Sequence, residues 1–341
     1  MGMLILDRAQ LEVRSEAGCL ALYEAGVRRG TVPLKLVDHC VIQGGQTRLD
    51  SGVLLKLAEA GVPTVLLSPR QGRRVALLLG PQHNDAAVRL AQARRVMDDG
   101  WCRAWAQALV LAKLRRQERQ LAAWQAARPD ARKPLVDARE GVANARLALQ
   151  AATEPLPLAS LRGLEGSAAR AHFGGLAAVL PPALGFAGRN RRPPRDPVNA
   201  TLSLAYTLLH VEAVQALQRA GLDPLLGFYH RPAFGRESLA CDLIEPLRPA
   251  VDGWLWQQWR SRQLREDQFS LDKGACLLGK AGREQFYAAW ALQAVPPWRR
   301  WLRQRARLLA RTLRTEGLPW LAEAEDDDHD GSFTDEQALQ P

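Results

Sequence analysis

The apolar period of this chain changes once, at Gly80-Pro81-Gln82-His83-Asn84. Before that point short segments alternate or run apolar over four to eight residues, a strand pattern. They cover residues 3–6, 11–14, 19–23 and 36–43, the last ended by Gly44-Gly45. Asp50-Ser51 reads as the cap of a short helix with Val53, Leu54, Leu57 and Ala58 on one face. Gly61 stops that helix and Pro63 prevents its continuation. Residues 64–67 and 74–79 are two further buried strands, joined by a turn over 68–72. After Asn84 the period becomes helical. One long helix is expected over 85–124, with Leu90, Ala93, Met97, Trp101, Trp105, Leu109 and Ala112 as its apolar face. Breaks fall at 128–134 and 155–157. Asp196-Pro197 is an N-cap followed by a first-turn proline, opening a helix that ends at Gly221. A last, arginine-rich helix covers 297–313. The fold class is therefore α+β. A β-rich domain with one inserted helix (1–80) and a linker (81–85) precede a larger all-α domain (86–322).

With 341 residues, 47% of them hydrophobic, the chain can bury a real core. It carries +10 at pH 7, unevenly spread. Residues 323–341 hold eight acids and no Lys or Arg, and are expected to form a disordered acidic tail. Without those eight, 46 bases face 28 acids, a balance of +18 that favours a polyanionic partner. The tail could then compete with that partner for the basic surface. No run is long and apolar enough to cross a membrane, and the opening residues lack the form of a signal peptide, so a cytoplasmic protein is expected. The five cysteines are odd in number, widely spaced and form no C-x-x-C pair, which excludes a disulfide framework and a structural zinc site. Buried, reduced thiols are expected. The ten tryptophans stand mostly at helical spacing among Leu and Ala, which points to packing rather than base stacking. Phosphate-loop, dinucleotide-loop, zincin and serine-esterase motifs are absent.

Three polar residues stand in otherwise apolar surroundings: Glu165, His230 and Glu245. Two carboxylates and an imidazole suit a hard divalent cation, Mg²⁺ or Mn²⁺, better than structural zinc. On a helix Glu165 shares its face with Leu161, Ala168, Ala169 and His172, so its carboxylate needs a partner, either a metal or an arginine. Gly166 would admit a close neighbour. His230 ends an extended apolar run after the turn Asp223-Pro224, placed to project into a cleft as a ligand or as a general acid/base. Asp242 and Glu245 have the spacing of a helix capping box. The same spacing puts both on one face, where they could share a cation. The basic loop over 188–195 offers Arg189, Arg191, Arg192 and Arg195 to phosphates, and Arg115, Arg116, Arg119 and the C-terminal arginines could extend that surface.

These segments, in order, resemble the CRISPR-associated adaptation integrase family over roughly residues 3–320. The resemblance rests on Leu4-Ile5-Leu6-Asp7, residues 36–44, residues 61–68, Leu164-Glu165-Gly166, residues 189–194 and Asp196-Pro197-Val198-Asn199. It is most specific in Gly221-Leu222-Asp223-Pro224, Gly227-Phe228-Tyr229-His230, residues 238–245 and Arg248-Pro249. It implies a β-domain that forms a homodimer and a helical catalytic domain. Glu165, His230 and Glu245 would hold Mg²⁺ or Mn²⁺, Asp242 would be a supporting acid, and Arg248 would join the DNA-binding residues. The implied activity is metal-dependent endonuclease and integrase chemistry in spacer acquisition. The 3′-hydroxyls of a short captured duplex attack phosphodiesters of the CRISPR repeat, with a small second adaptation protein as partner. Arg231 and Pro246 stand where family members often carry acids, and residues 113–117 lack an Asn often seen there. Other classes remain open: a non-catalytic DNA-binding scaffold, a transposon-type integrase, or a repair nuclease for branched DNA on the same fold.

Overall fold

The computed structural model describes residues 2–8, 10–43, 46–68, 74–78, 80, 83–190 and 193–328, with side chains described to residue 321. Two four-stranded sheets form the N-terminal part. In the first, β1 (Gly2–Leu6), β5 (Val37–Ile42) and β7 (Thr64–Leu67) run parallel, and β8 (Arg74–Leu78) is an antiparallel edge. In the second, β2 (Leu11–Glu16), β3 (Cys19–Glu24) and β4 (Val27–Pro33) form a meander, with the short β6 (Arg48–Leu49) parallel to β2. Helix α1 (Ser51–Glu59) starts at Asp50, whose carboxylate accepts from the Val53 N–H at 2.7 Å, and Gly61 takes φ +61° just past its end.

The alternation along β5 shows how the sheet is used. Cys40 and Ile42 face a core shared with Leu6, Val13, Leu20, Val53 and Leu57. Val41, with Val65 and Leu67 of β7, points the other way, into the core of the helical part. A strand's two faces thus serve two cores, and a one-residue slip would exchange them.

The helical part holds α2 (Ala86–Met97), α3 (Asp99–Ala127), α4 (Arg132–Ala151), α5 (Leu158–Val179), α6 (Pro197–Arg219), α7 (Ser238–Ile244), α8 (Arg248–Arg260), α9 (Lys280–Ala289) and α10 (Val295–Asp328). Most residues of α6 are buried, which makes it the central helix of this core. It begins at the expected cap: Asp196 accepts from the Asn199 N–H at 2.8 Å, with Pro197 in the first turn.

Several expectations need correcting. The single helix over 85–124 is two helices. Asp98 is extended (φ −88°, ψ 99°) and caps α3 by accepting from the Trp101 N–H at 2.9 Å. The buried face of α2 is Ala87, Val88, Ala91, Gln92 and Val96, so Leu90 and Met97 are exposed, and the buried apolar stripe of α3 is Cys102, Ala106, Val110, Leu114, Leu121 and Trp124. The helical part is also not all-α. Strands β9 (Phe269–Asp272) and β10 (Ala275–Leu278) form a hairpin whose turn residues Lys273 and Gly274 both have positive φ, as a two-residue turn requires. Cys19 and Cys241 are half-buried rather than buried. Helix α10 extends to Asp328, past the start of the acidic stretch, and the rest of that stretch lies outside the described residues.

Candidate metal centre and nucleic-acid interface

The site forms where α3, α5 and the turn after α7 meet. Helix α5 buries Leu161, Ala168 and His172 on one face. Glu165 lies at the edge of that face, its side chain 23% exposed. Gly166 meets no close neighbour: a Cβ there would stand in open space, so the expected close approach is absent. Glu245 begins the 3-10 turn Glu245–Leu247 that links α7 to α8, and it is buried.

Both carboxylates meet the same group. Lys113, in the middle of α3, is itself buried. Its Nζ donates to Glu245 Oε2 at 2.6 Å and also to Glu165 Oε1. Glu245 Oε1 accepts from Arg248 Nε at 2.9 Å. Burial alone would raise the Glu245 carboxyl, but Arg248 and Lys113 outweigh it and hold the group down at about 2. Burial would lower the Lys113 ammonium, and Glu245 and Glu165 reverse that.

His230 reaches the site from the loop after α6. Gly221 (φ +82°) turns the chain out of that helix. Buried Gln92 then holds the loop: its Nε2 donates to the carbonyls of Asp223 (2.8 Å) and Leu226 (3.0 Å), and its Oε1 accepts from the Asp223 N–H (2.8 Å). Phe228 packs against Trp101 and Trp105 of α3, with ring centroids 4.5 and 5.1 Å apart. Gly227 lies so close to Ser238 and the His230 carbonyl that a Cβ would come within 2.7 Å of them. The loop thereby lies against α7, where Asp242 collects its donors. Asp242 accepts backbone N–H bonds from Phe228 (2.8 Å), Tyr229 (2.9 Å) and His230 (2.8 Å), and a fourth from His230 Nδ1 (2.6 Å).

This corrects the reading of Asp242. It does not cap a helix, and its oxygens accept from the loop. Glu237 is the N-cap position of α7, and the carboxylate of Asp242, with no exposure, is filled by the loop. Burial raises its pKa, against the pull of His230 and the backbone donors. With Nδ1 donating to Asp242, the other ring nitrogen of His230, Nε2, is left as an acceptor, and the side chain keeps 28% of its exposure.

A second tier lies behind Glu245. The Arg248 guanidinium stacks 4.7 Å from the Tyr206 ring. Tyr206 donates to Asp252, whose other oxygen bonds His172 Nε2 at 2.9 Å. Arg248 is therefore half-buried and engaged in this network. Arg189 is likewise committed, to Asn199 Oδ1 (2.8 Å), Ser203 Oγ (3.0 Å) and the face of Tyr206. Arg195 is exposed, and Arg191 and Arg192 lie outside the described residues. Arg231 turns away from the site toward the Val96 carbonyl and Asp99. Arg116 bonds the Pro246 carbonyl at 2.9 Å and stacks on Trp301 of α10.

Among the described residues no three His, Cys, Asp or Glu side chains are already grouped around one metal position. The donor chemistry nevertheless fits a hard divalent ion. Two carboxylates converge on one cation, and the neighbouring imidazole has its far nitrogen tied to a carboxylate, the usual support of a ligating histidine. Lys113 is the site residue missed in the sequence. Its signal was a lone lysine in register with the apolar stripe of α3.

The family model for CRISPR associated protein Cas1 matches residues 4–291. A CRISPR-associated endonuclease Cas1 of Thermodesulfovibrio yellowstonii is 34% identical over 308 residues, covering 88% of this chain and 94% of that protein. The structure of a Cas1 protein from Thermotoga maritima superposes with a TM-score of 0.78 at 20% identity, over 92% of this chain and 97% of that one. A casposase bound to its integration product gives 0.77, also at 20% identity, over 93% and 91%. An N-terminal strand-rich region, a mostly helical remainder and a match of this extent lead to one conclusion: the chain belongs to the Cas1 family.

Proposed function

We propose that this protein is a metal-dependent DNA endonuclease and integrase of CRISPR spacer acquisition, with Glu165, His230 and Glu245 holding Mg²⁺ or Mn²⁺. One observation carries the reading. Carboxylates from two distant segments share one cation, and His230, bonded through Nδ1 to Asp242, acts electrostatically on one of them, Glu245. When bound, such an ion would polarise a phosphoryl oxygen and favour ionisation of the attacking hydroxyl.

The chain's own residues set the rest. Asp242 holds the His230 ring through Nδ1 and leaves Nε2 as its acceptor. Arg248 holds one oxygen of Glu245, leaving the other for the cation. The excess of positive charge on the body favours a DNA substrate. Joining exchanges one phosphodiester for another: a 3′-hydroxyl oxygen of the captured duplex attacks phosphorus, and the 3′-oxygen of the repeat strand leaves with a proton. Water as nucleophile in the same site would give endonuclease cleavage. The reading includes the small second adaptation protein as partner, and a homodimer through the N-terminal sheets.

The test is transfer of a labelled short duplex with 3′-hydroxyl ends into a plasmid carrying the cognate repeat, with the partner protein present. Joining should require Mn²⁺ or Mg²⁺, stop with EDTA, and fall by at least about a hundredfold in Glu165→Ala, as loss of a metal ligand implies. Joining that survives EDTA or the substitution would refute the assignment. DNA binding without joining would favour a scaffold.

A further inference from the structure

We infer that Lys113 is a placeholder cation: its ammonium occupies the gap between Glu165 and Glu245 in the metal-free protein, and metal binding displaces it. The inference rests on the metal-site reading above.

Two carboxylates this close repel each other, and burial removes the water that would screen them. The two carboxylates need a positive charge between them. Arg248 supplies part of it, but on Glu245 Oε1 only. The oxygens facing the gap, Glu165 Oε1 and Glu245 Oε2, are both taken by Lys113 Nζ. Lys113 starts from α3, the helix packed between α5 and the turn that bears Glu245, and 7% of its side chain is exposed. The ammonium is therefore built into the core and is not a surface group that has folded over.

A divalent ion placed between those two oxygens would lie against the ammonium, and the two positive charges repel each other. Lysine suits an exchange role. Its charge is compact and sits on a flexible four-carbon stem, whereas a guanidinium would grip both carboxylates in a planar fork. Affinity for metal is reduced in proportion to the fraction of molecules in which the site is already filled.

The experiment is calorimetric titration of Mn²⁺ into wild type, Lys113→Met, Lys113→Arg and Glu165→Gln, paired with melting in EDTA and in Mn²⁺. Lys113→Met should bind Mn²⁺ about tenfold or more tightly, melt lower than wild type in EDTA, and regain that loss in Mn²⁺. Lys113→Arg should fold normally and bind Mn²⁺ more weakly than wild type. Weaker binding by Lys113→Met, with wild-type binding still abolished by Glu165→Gln, would overturn the placeholder role and leave the metal site intact. If Lys113→Met fails to fold, equal or tighter Mn²⁺ binding by Lys113→Arg would overturn it. Wild-type binding unaffected by Glu165→Gln, or none at all, would overturn both readings.

Discussion

Asp242 binds four donors and touches no water, so its loss is expressed twice. Asp242→Ala leaves three N–H groups, two of them buried, without this partner and frees the His230 ring. A stability loss of about 3 kcal/mol or more is expected, read by urea unfolding. Asp242→Asn is gentler. It retains one acceptor oxygen but offers an amide where the loop needs a second, and it removes the charge that fixes the imidazole. Strand transfer should fall about tenfold to a hundredfold, with DNA binding unchanged in an anisotropy titration. An equal loss of DNA binding would mean that the loop itself had collapsed. Glu165, His230 and Glu245 were legible from sequence because each is a polar residue in an apolar setting. The role of Asp242 was not. Its partners lie twelve to fourteen residues earlier in the chain, and local spacing pointed to a helix cap instead.

At the scale of elements, α6 ties the two parts of the chain together. Glu212 accepts from Arg299 of α10 at 2.8 Å and lies 3.2 Å from His39 of β5. Glu237, just before α7, bonds His210 of α6 at 2.7 Å and Arg74 of β8. Burial would raise the Glu212 carboxyl, but His39 and Arg299 bring it down to about 2. A carboxyl held below its unfolded value stabilises the fold fully above about pH 4.5, and that share is lost as pH falls toward about 2. Its size is about 3 kcal/mol. In urea unfolding between about pH 5 and pH 2.5, wild type should lose this increment and Glu212→Gln should not. Parallel pH curves would show that the pair does not link the elements. The sequence located strands and helices well wherever a Gly, Pro or Asp marked the end, as at Asp50, Gly61, Asp196 and Gly221. It missed Asp98 because an apolar period ran on across it, although Asp98-Asp99-Gly100 is itself a stop and a new cap. It missed the hairpin at Lys273-Gly274 and the strand β4, whose residues include no continuous apolar run of the kind that marked β7.

Seven arginines lie on α10 between Arg299 and Arg314. Two adjoining grooves of about 600 and 530 Å³ are lined by its arginines, with Arg307 and Arg311 common to both and Arg219 of α6 in the second. If phosphates lie there, Arg307→Glu with Arg311→Glu should weaken duplex binding about tenfold or more at low salt. It should also flatten the slope of log affinity against log salt by roughly one to two. An unchanged slope would place the DNA elsewhere, with Arg195 the next candidate. Net charge was readable in the sequence, whereas its arrangement into grooves depends on how α10 lies against α2 and α6. The same holds for the site, since nothing local to Lys113 reveals that Glu165 and Glu245 meet on it.

The most direct measurement is anomalous diffraction from crystals soaked in Mn²⁺. The expected result is a single strong peak within coordination distance of Glu165, Glu245 and His230 Nε2, with Lys113 Nζ withdrawn from both carboxylates. Lys113 still bridging the two glutamates, with manganese absent or bound elsewhere, would contradict both the metal site and the exchange that is proposed to fill it.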